Sequence, residues 1–403
     1  MKNQTSILGM VGGITLAFAF IIQQSPAFGK VTYSQTSKTS PINKEISLKI
    51  RKDMADKLNL NLSNISIIKT QPDVFNNCLN LPINNEKCDQ IARPGWIVTA
   101  TGGKQRWVYH VTKSSDFRIN GLKSLPDIAK ERVLNNTTFL SNASSYPVGK
   151  IQITNAEFKT WKDNCLEIPK QQGCSPQKTN GWLVKATTSE KIKNHPSQWI
   201  YHLNLSGERE EFNISASLGQ LSKSQIENIL TDAARRSLTS RSDWKLTQIN
   251  PLWRTTCGVD FAQIVPLQGY CSQINVFGWE ATVTSKGHKW LYNVSKTGLI
   301  LNTTESLSPS LVDKVIKQAA KQTGNSSNAF RLHSAQQVTW KDSCLSINKT
   351  KQNCQKGAFP GWQIQLMGNN SMLFTYHTRL NDDIKFVGSS PFLAPPSSPP
   401  NAQ

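Results

Sequence analysis

Trp161-Lys162-Asp163-Asn164-Cys165-Leu166, followed by Cys174, Gly181-Trp182 and Trp199-Ile200-Tyr201-His202, organises the chain, because it returns three more times in altered form. The fourth copy reads Trp340-Lys341-Asp342-Ser343-Cys344-Leu345, then Cys354, Gly361-Trp362 and Phe374-Thr375-Tyr376-His377. The first has Cys78-Leu79, Cys88, Gly95-Trp96 and Trp107-Val108-Tyr109-His110. The third has Trp253-Arg254-Thr255-Thr256-Cys257, Cys271, Gly278-Trp279 and Trp290-Leu291-Tyr292-Asn293. The leading cysteines Cys78, Cys165, Cys257 and Cys344 stand 87, 92 and 87 residues apart. A recurrence of this kind marks tandem structural units. It divides the 403 residues into repeat units at 44–120, 121–214, 215–302 and 303–388.

Units of this size are small for a self-sufficient hydrophobic core and benefit from a covalent staple. Each carries one pair of cysteines. The expected bridges are Cys78–Cys88, Cys165–Cys174, Cys257–Cys271 and Cys344–Cys354, one per unit. Closing a loop of about ten residues stabilises a unit by roughly 2–3 kcal/mol on the chain-entropy model. Zinc is the rival use of cysteine, but no copy has the closely spaced pairs such sites use.

Each unit opens with helix signals. Ile46, Ile50, Met54 and Leu58 recur every four residues, one face of a helix. Ser222 with Gln225 forms a capping box, and Ser308-Pro309 followed by Gly324 marks a start and a stop. The run from Leu125-Pro126-Asp127 through Ile128, Val133 and Leu134 is weaker and fades into Asn and Thr. Segments alternating with period two follow, for instance 65–69, 96–101, 105–112 and 116–120 in the first unit. In the third unit the first such segment is 244–249. Helix then strands in one short unit predicts an α+β fold, with one helix packed on a small antiparallel sheet in each unit. Trp96, Val98 and Ala100 share one strand face, as do Trp107, Tyr109 and Val111. A hairpin about Gly102-Gly103 sets the two rows side by side. The glycine before each repeated tryptophan is expected to let the backbone turn sharply.

The N-terminus carries Lys2, an apolar run from Ile7 to Ile22, and small residues Ala27 and Gly29. This pattern predicts a secretory signal over residues 1–29, with an uncleaved membrane anchor as the rival. Residues 30–43 read as a flexible linker and 389–403 as a disordered Pro/Ser-rich tail. An even number of cysteines behind a signal implies an oxidising compartment, periplasmic or secreted. The formal net charge of +20 is spread over every unit rather than gathered in one stripe. That suits loose attraction to anionic polymers and excludes specific nucleic-acid recognition, which needs a concentrated patch and a known module.

Tyr109-His110, Tyr201-His202 and Tyr376-His377, with Asn293 in the third copy, are the recurrent titratable positions. One histidine per unit without a second ligand at metal spacing, and pointing away from a core-facing tyrosine, reads as structural. Asp163 and Asp342, with Asn76 and Thr255 at the equivalent positions, lack a recurrent partner group and read as turn caps rather than catalytic carboxylates. The tryptophans read as core, with Trp244 and Trp253 as candidates for exposure at loop mouths. Asn-x-Ser/Thr sites such as Asn61 and Asn136 matter only in a glycosylating pathway. No hydrolase, zinc-protease, phosphate-loop or dinucleotide motif is present.

The pattern from Trp161 to His202 and from Trp340 to His377 resembles uncharacterised extracytoplasmic repeat units of bacteria, notably cyanobacteria. That resemblance covers residues 44–388 and implies no agreed activity. The first copy departs from it by having Val74 in place of the leading tryptophan, and the third by Gly258 after its cysteine. Helix-then-sheet order is also similar to cystatin-like or PepSY-type modules, which implies binding or inhibition. The expected function is therefore a non-catalytic binding scaffold at the cell envelope, without cofactor or metal. Its expected partner is an envelope protein or an anionic polymer. A peptidase inhibitor acting through the loop Gly258–Tyr270 is the alternative, and a hydrolase using the Tyr-His positions is the third reading.

Overall fold

The computed structural model describes residues 42–83, 86–141, 151–170, 173–189, 195–256, 274–347, 353–380 and 383–392. The expected signal (1–29), most of the linker (30–43) and the tail beyond residue 392 lie outside them, as do Cys257, Cys271 and the whole loop Gly258–Tyr270.

The described chain forms four antiparallel four-stranded sheets, each a meander in sequence order. The first comprises β1 (Ile65–Phe75), β2 (Arg93–Gly102), β3 (Gln105–Thr112) and β4 (Phe117–Ile119). The second comprises β5 (Ile151–Trp161), β6 (Thr179–Thr188), β7 (Trp199–Asn204) and β8 (Glu210–Phe212). The third comprises β9 (Lys245–Thr256), β10 (Ile274–Ser285), β11 (His288–Val294) and β12 (Leu299–Asn302). The fourth comprises β13 (Phe330–Asp342), β14 (Lys356–Gly368), β15 (Met372–Arg379) and β16 (Ile384–Pro391).

Fifteen-residue helices precede the sheets: α1 (Lys44–Leu58), then, beyond the short α2 (Gly121–Ser124), α3 (Asp127–Ser141). The short α4 (Ile214–Leu218) leads into α5 (Lys223–Ser237), and the short α6 (Thr303–Ser306) into α7 (Pro309–Thr323). The capping box of Ser222 and Gln225 forms as the sequence indicates. Ser308 caps α7, and Gly324 ends it in a left-handed conformation. Helix α3 does not fade at its polar end. Thr137 is fully buried, its hydroxyl donating to Val133 O at 2.7 Å and meeting the Tyr201 hydroxyl at 2.8 Å.

Strands β1 and β9 run well past the expected 65–69 and 244–249, through Pro72 and Pro251, which stand opposite Trp96 and Trp279. Both are edge strands, where a residue lacking an N–H leaves no ladder bond unmade. Trp244 itself lies just before β9.

The core is not divided sheet by sheet. One cluster joins α1 and α3 with the first two sheets, and another joins α5 and α7 with the last two. At the heart of the first cluster Trp107 of β3 meets Trp182 of β6 edge-to-face, centroids 5.9 Å apart at 81°. Trp290 and Trp362 repeat that contact in the second, at 6.3 Å and 81°. Phe277 of β10 packs on Trp199 at 5.3 Å and so belongs to the first cluster although it lies in the third sheet. Sheets joined this way are not beads on a string.

Candidate functional site

Alternation along a strand sends Tyr109 and His110 to opposite faces of the sheet. On one face the tyrosine hydroxyl reaches a helix. Tyr109 donates to Asp53 Oδ2 at 3.0 Å, Tyr292 to Asp232 Oδ2 at 3.0 Å and Tyr376 to Gln322 Oε1 at 3.3 Å, while Tyr201 meets Thr137. Burial raises all four phenols far from ordinary titration, Tyr376 to about 12.

On the other face the histidine holds the disulfide turn. His110, His202 and His377 place Nδ1 at 2.8, 2.6 and 2.8 Å from the carbonyls of Leu79, Leu166 and Leu345. Each of those leucines follows a bridged cysteine and takes a left-handed backbone, φ 57°, 57° and 60°. The second nitrogen, Nε2, faces Asn120 Nδ2 at 3.1 Å in the first sheet and Asn213 Nδ2 at 3.0 Å in the second. An amide nitrogen only donates, so Nε2 must accept and Nδ1 must carry the proton. In these two sheets the histidine is therefore a neutral, doubly bonded strut. Burial lowers its pKa against the opposing pull of the leucine carbonyl.

An aromatic ring covers each histidine. Trp161 lies on His202 at 4.2 Å and 12°, Trp340 on His377 at 4.0 Å and 27°. In the first sheet Phe75 does this for His110 at 4.9 Å and 26°, whereas Val74, the residue expected at the equivalent place, is 51% exposed. The first copy simply has one residue fewer between ring and cysteine. The glycine before each tryptophan is likewise not a turn. It lies in a strand, where a Cβ on Gly181 would come 1.9 Å from Leu203 O and 2.7 Å from Trp161 Nε1, and Gly361 repeats this against Thr378 O and Trp340 Nε1. Glycine is there because the indole occupies the space, donating to that same carbonyl at 2.9 Å in both sheets.

Asp163 and Asp342 head the turn. Asp163 Oδ1 accepts from Cys165 N and Glu167 N, both at 2.9 Å, and Asp342 Oδ1 from Cys344 N at 2.9 Å and Ser346 N at 3.0 Å. Asn76 does the same for Cys78 N and Asn80 N at 3.0 and 2.9 Å. Three bridges close these turns: Cys78–Cys88, Cys165–Cys174 and Cys344–Cys354. The carboxylates beside them (Glu86, Asp163 and Asp342) give the spacing of a metal site. With both sulfurs of each group in a disulfide, no thiolate remains to ligate.

The third sheet is built differently. Asn293 stands where the others have histidine, and Arg254 donates to it at 3.2 Å and to Glu280 at 2.7 Å. Thr255 donates to Asn275 Oδ1 at 3.0 Å. Trp244, a candidate for exposure, is 1% exposed, tilted against Trp290 at 4.7 Å and 36°, and donating to Ser237 and Thr239. Trp253 is 38% exposed, as expected.

A recurrent signal missed in the sequence is Asn-x-x-x-Ser after each of the first three sheets. Asn120, Asn213 and Asn302 cap α2, α4 and α6. Ser124, Ser217 and Ser306 then accept the backbone N–H of Val108, Ile200 and Leu291 at 2.8–2.9 Å. Only the regular offset of four residues announces it.

A groove of about 600 Å³ runs between the first two sheets, within the size range of ligand sites. Its walls are β4, β5, the start of α2 and the disulfide loop from Asn80 to Ile83. Arg118 grips Glu86 with two bonds of 2.5 and 2.7 Å and also donates to Leu81 O at 3.0 Å. That guanidinium, helped by the Ile83 N–H, holds the Glu86 carboxyl down at about 2. Asp53 pairs with Lys57, and Glu157 with Lys159.

Residues 312–386, from within α7 to within β16, match the model of a domain of unknown function, DUF8738. No curated protein matches the chain. No solved structure matches it either.

Proposed function

We propose that the chain is an extracytoplasmic, non-catalytic binding scaffold of four tandem units, each a helix packed on its sheet and stapled by its own disulfide. The observation that carries this reading is the fate of the recurrent polar residues. Tyrosine, histidine and the turn aspartate are each consumed in holding a helix, a turn or a bridge. A histidine kept neutral, and bonded at both nitrogens in the first two sheets, has no lone pair or proton to offer a substrate. Three disulfides support an oxidising compartment. The spread of the +20 charge supports contact with anionic envelope polymers or with envelope proteins. The test is retention of purified peptidoglycan, anionic polysaccharide and envelope-extract proteins on the immobilised full chain at physiological salt. Retention of none of them refutes the scaffold reading. A non-reducing peptide map that lacks a Cys257–Cys271 peptide refutes the one-bridge-per-unit part alone.

A further inference from the structure

The groove between the first two sheets is bounded on both sides by a sheet edge. In the first sheet Asp116 O accepts from Thr112 N at 2.9 Å and Asn120 N donates to Val108 O at 2.7 Å. Residues 116, 118 and 120 therefore direct their backbone polar groups at β3, and alternation turns those of Phe117 and Ile119 outward. In the second sheet the carbonyl of Ala156 faces α2, so closely that a Cβ on Gly121 would fall 1.7 Å from it. Phe158, two residues on, directs its N–H and C=O to the same outer side. Among the described residues nothing meets the backbone groups of Phe117, Ile119 or Phe158. All of these residues line the one groove, together with Ile83 and Leu122, whose apolar side chains are 49% and 41% exposed.

Charge selects the occupant. Every charged side chain on the groove wall is neutralised within the protein, Asp53 by Lys57, Arg118 by Glu86 and Glu157 by Lys159, although the chain as a whole carries +20. An anionic polymer finds no uncompensated cation here. An uncharged main chain, by contrast, satisfies edge N–H and C=O groups at a two-residue period, and its alternate side chains reach the apolar wall. We propose that this groove binds an extended, uncharged peptide segment of a partner protein by strand addition between β4 and β5. This rests on the binding-scaffold reading and names its partner as a protein.

The test uses the full chain and a capped hexapeptide of alternating valine and threonine, followed by amide hydrogen exchange. The Phe117, Ile119 and Phe158 amides are expected to exchange about tenfold more slowly at about 1 mM peptide, corresponding to a Kd of about 0.1 mM. The same peptide N-methylated at alternate residues should give no protection. Ile83→Glu and Leu122→Glu should each weaken binding about tenfold, the size of about 1.4 kcal/mol, and leave exchange elsewhere unchanged. No protection from the unmodified peptide, equal protection from the methylated one, or protection only by an oligoglutamate overturns the proposal. If any of these is found while the immobilised chain still retains an envelope component, the scaffold reading stands and only the groove is misassigned.

Discussion

Replacing Trp107 by alanine asks whether two sheets share one core. The side chain is fully buried and touches Phe158 at 5.3 Å and Trp182 at 5.9 Å, both in the second sheet. Truncating a buried tryptophan costs about 3–5 kcal/mol. At about 1.4 kcal/mol per decade, amides protected by that core should exchange roughly a hundredfold to a few thousandfold faster. Because the core spans both sheets, the faster exchange should appear in β6 as fully as in β2, while amides in β14 keep their wild-type rates. Hydrogen exchange on the intact chain, resolved by peptide, reads this directly. A double-mutant cycle adds the pair term. Trp107 and Trp182 should couple by about 0.5–1.5 kcal/mol for edge-to-face contact, whereas Trp107 and Trp290, in separate clusters, should be additive within about 0.5 kcal/mol. Unchanged protection in β6, or additivity of Trp107 with Trp182, would show independent units and refute the shared core.

Three other outcomes follow from the histidine-held turn and the indole packed on its glycine. Gly181→Ala forces a Cβ onto a backbone carbonyl and an indole, so it should destabilise by about 1–3 kcal/mol or more and displace the Trp161 Nε1 resonance. Cys165→Ser with Cys174→Ser should cost about 2–3 kcal/mol and free the turn that His202 holds, seen as a rise of the His202 pKa toward the ordinary value. Stability should also fall with acid. Burial lowers the folded pKa of His110, His202 and His377 below the unfolded value of about 6.5, so the unfolded chain binds more protons in that window. Their contribution is complete above the unfolded pKa and is lost as pH drops through it toward the folded one. Denaturant midpoints measured from pH 8 down to pH 5, against His→Asn variants that mimic Asn293, check the sign.

Much of the local structure was legible because it is written in short-range chemistry. Ser222 with Gln225 and Ser308 with Pro309 and Gly324 mark helix ends through groups only a few residues apart. The hairpin at Gly102-Gly103 and the three bridged cysteine pairs belong to the same class. The turn role of Asp163 was readable from the size of its side chain. What escaped needs tertiary context. Pro72 looks like the end of a strand unless one knows that β1 is an edge. Phe75 looks unrelated to Trp161 until both rings are seen on a histidine. Gly181 reads as a hinge until the indole is found in the room its missing side chain leaves. The groove was not legible at all, since it depends on how two sheets meet.

The sharing of cores explains a second period that the sequence carries silently. Pro72, Phe158, Pro251 and Gln337 occupy one position, each opposite the tryptophan of its repeat: Trp96, Trp182, Trp279 and Trp362. In the second and fourth sheets the residue contacts the helix of the preceding unit. Lys57 lies over the Phe158 ring at 5.7 Å, and Gln337 exchanges bonds of 3.0 and 3.3 Å with Arg236. In the first and third sheets it is proline, which blunts an edge against strand pairing. The helices alternate in step. Asp53–Lys57 and Asp232–Arg236 stand beneath Tyr109 and Tyr292, whereas Thr137 and Gln322 stand beneath Tyr201 and Tyr376. In the odd-numbered units the acid–base pair lies at the helix end that the next sheet receives, whereas the end of α3 offers backbone carbonyls, Phe139 O and Leu140 O, to Asn275 Nδ2 of the third sheet at 3.4 and 3.3 Å. The smallest piece that keeps the tryptophan pair at the heart of its core is therefore two units, although Phe277 of the third sheet also covers Trp199 of the second. A chain truncated after residue 219, which keeps α4 and the Ser217 bond to Ile200 N, should fold, giving a cooperative denaturant transition, where one truncated after residue 120 exposes Trp107 and gives none.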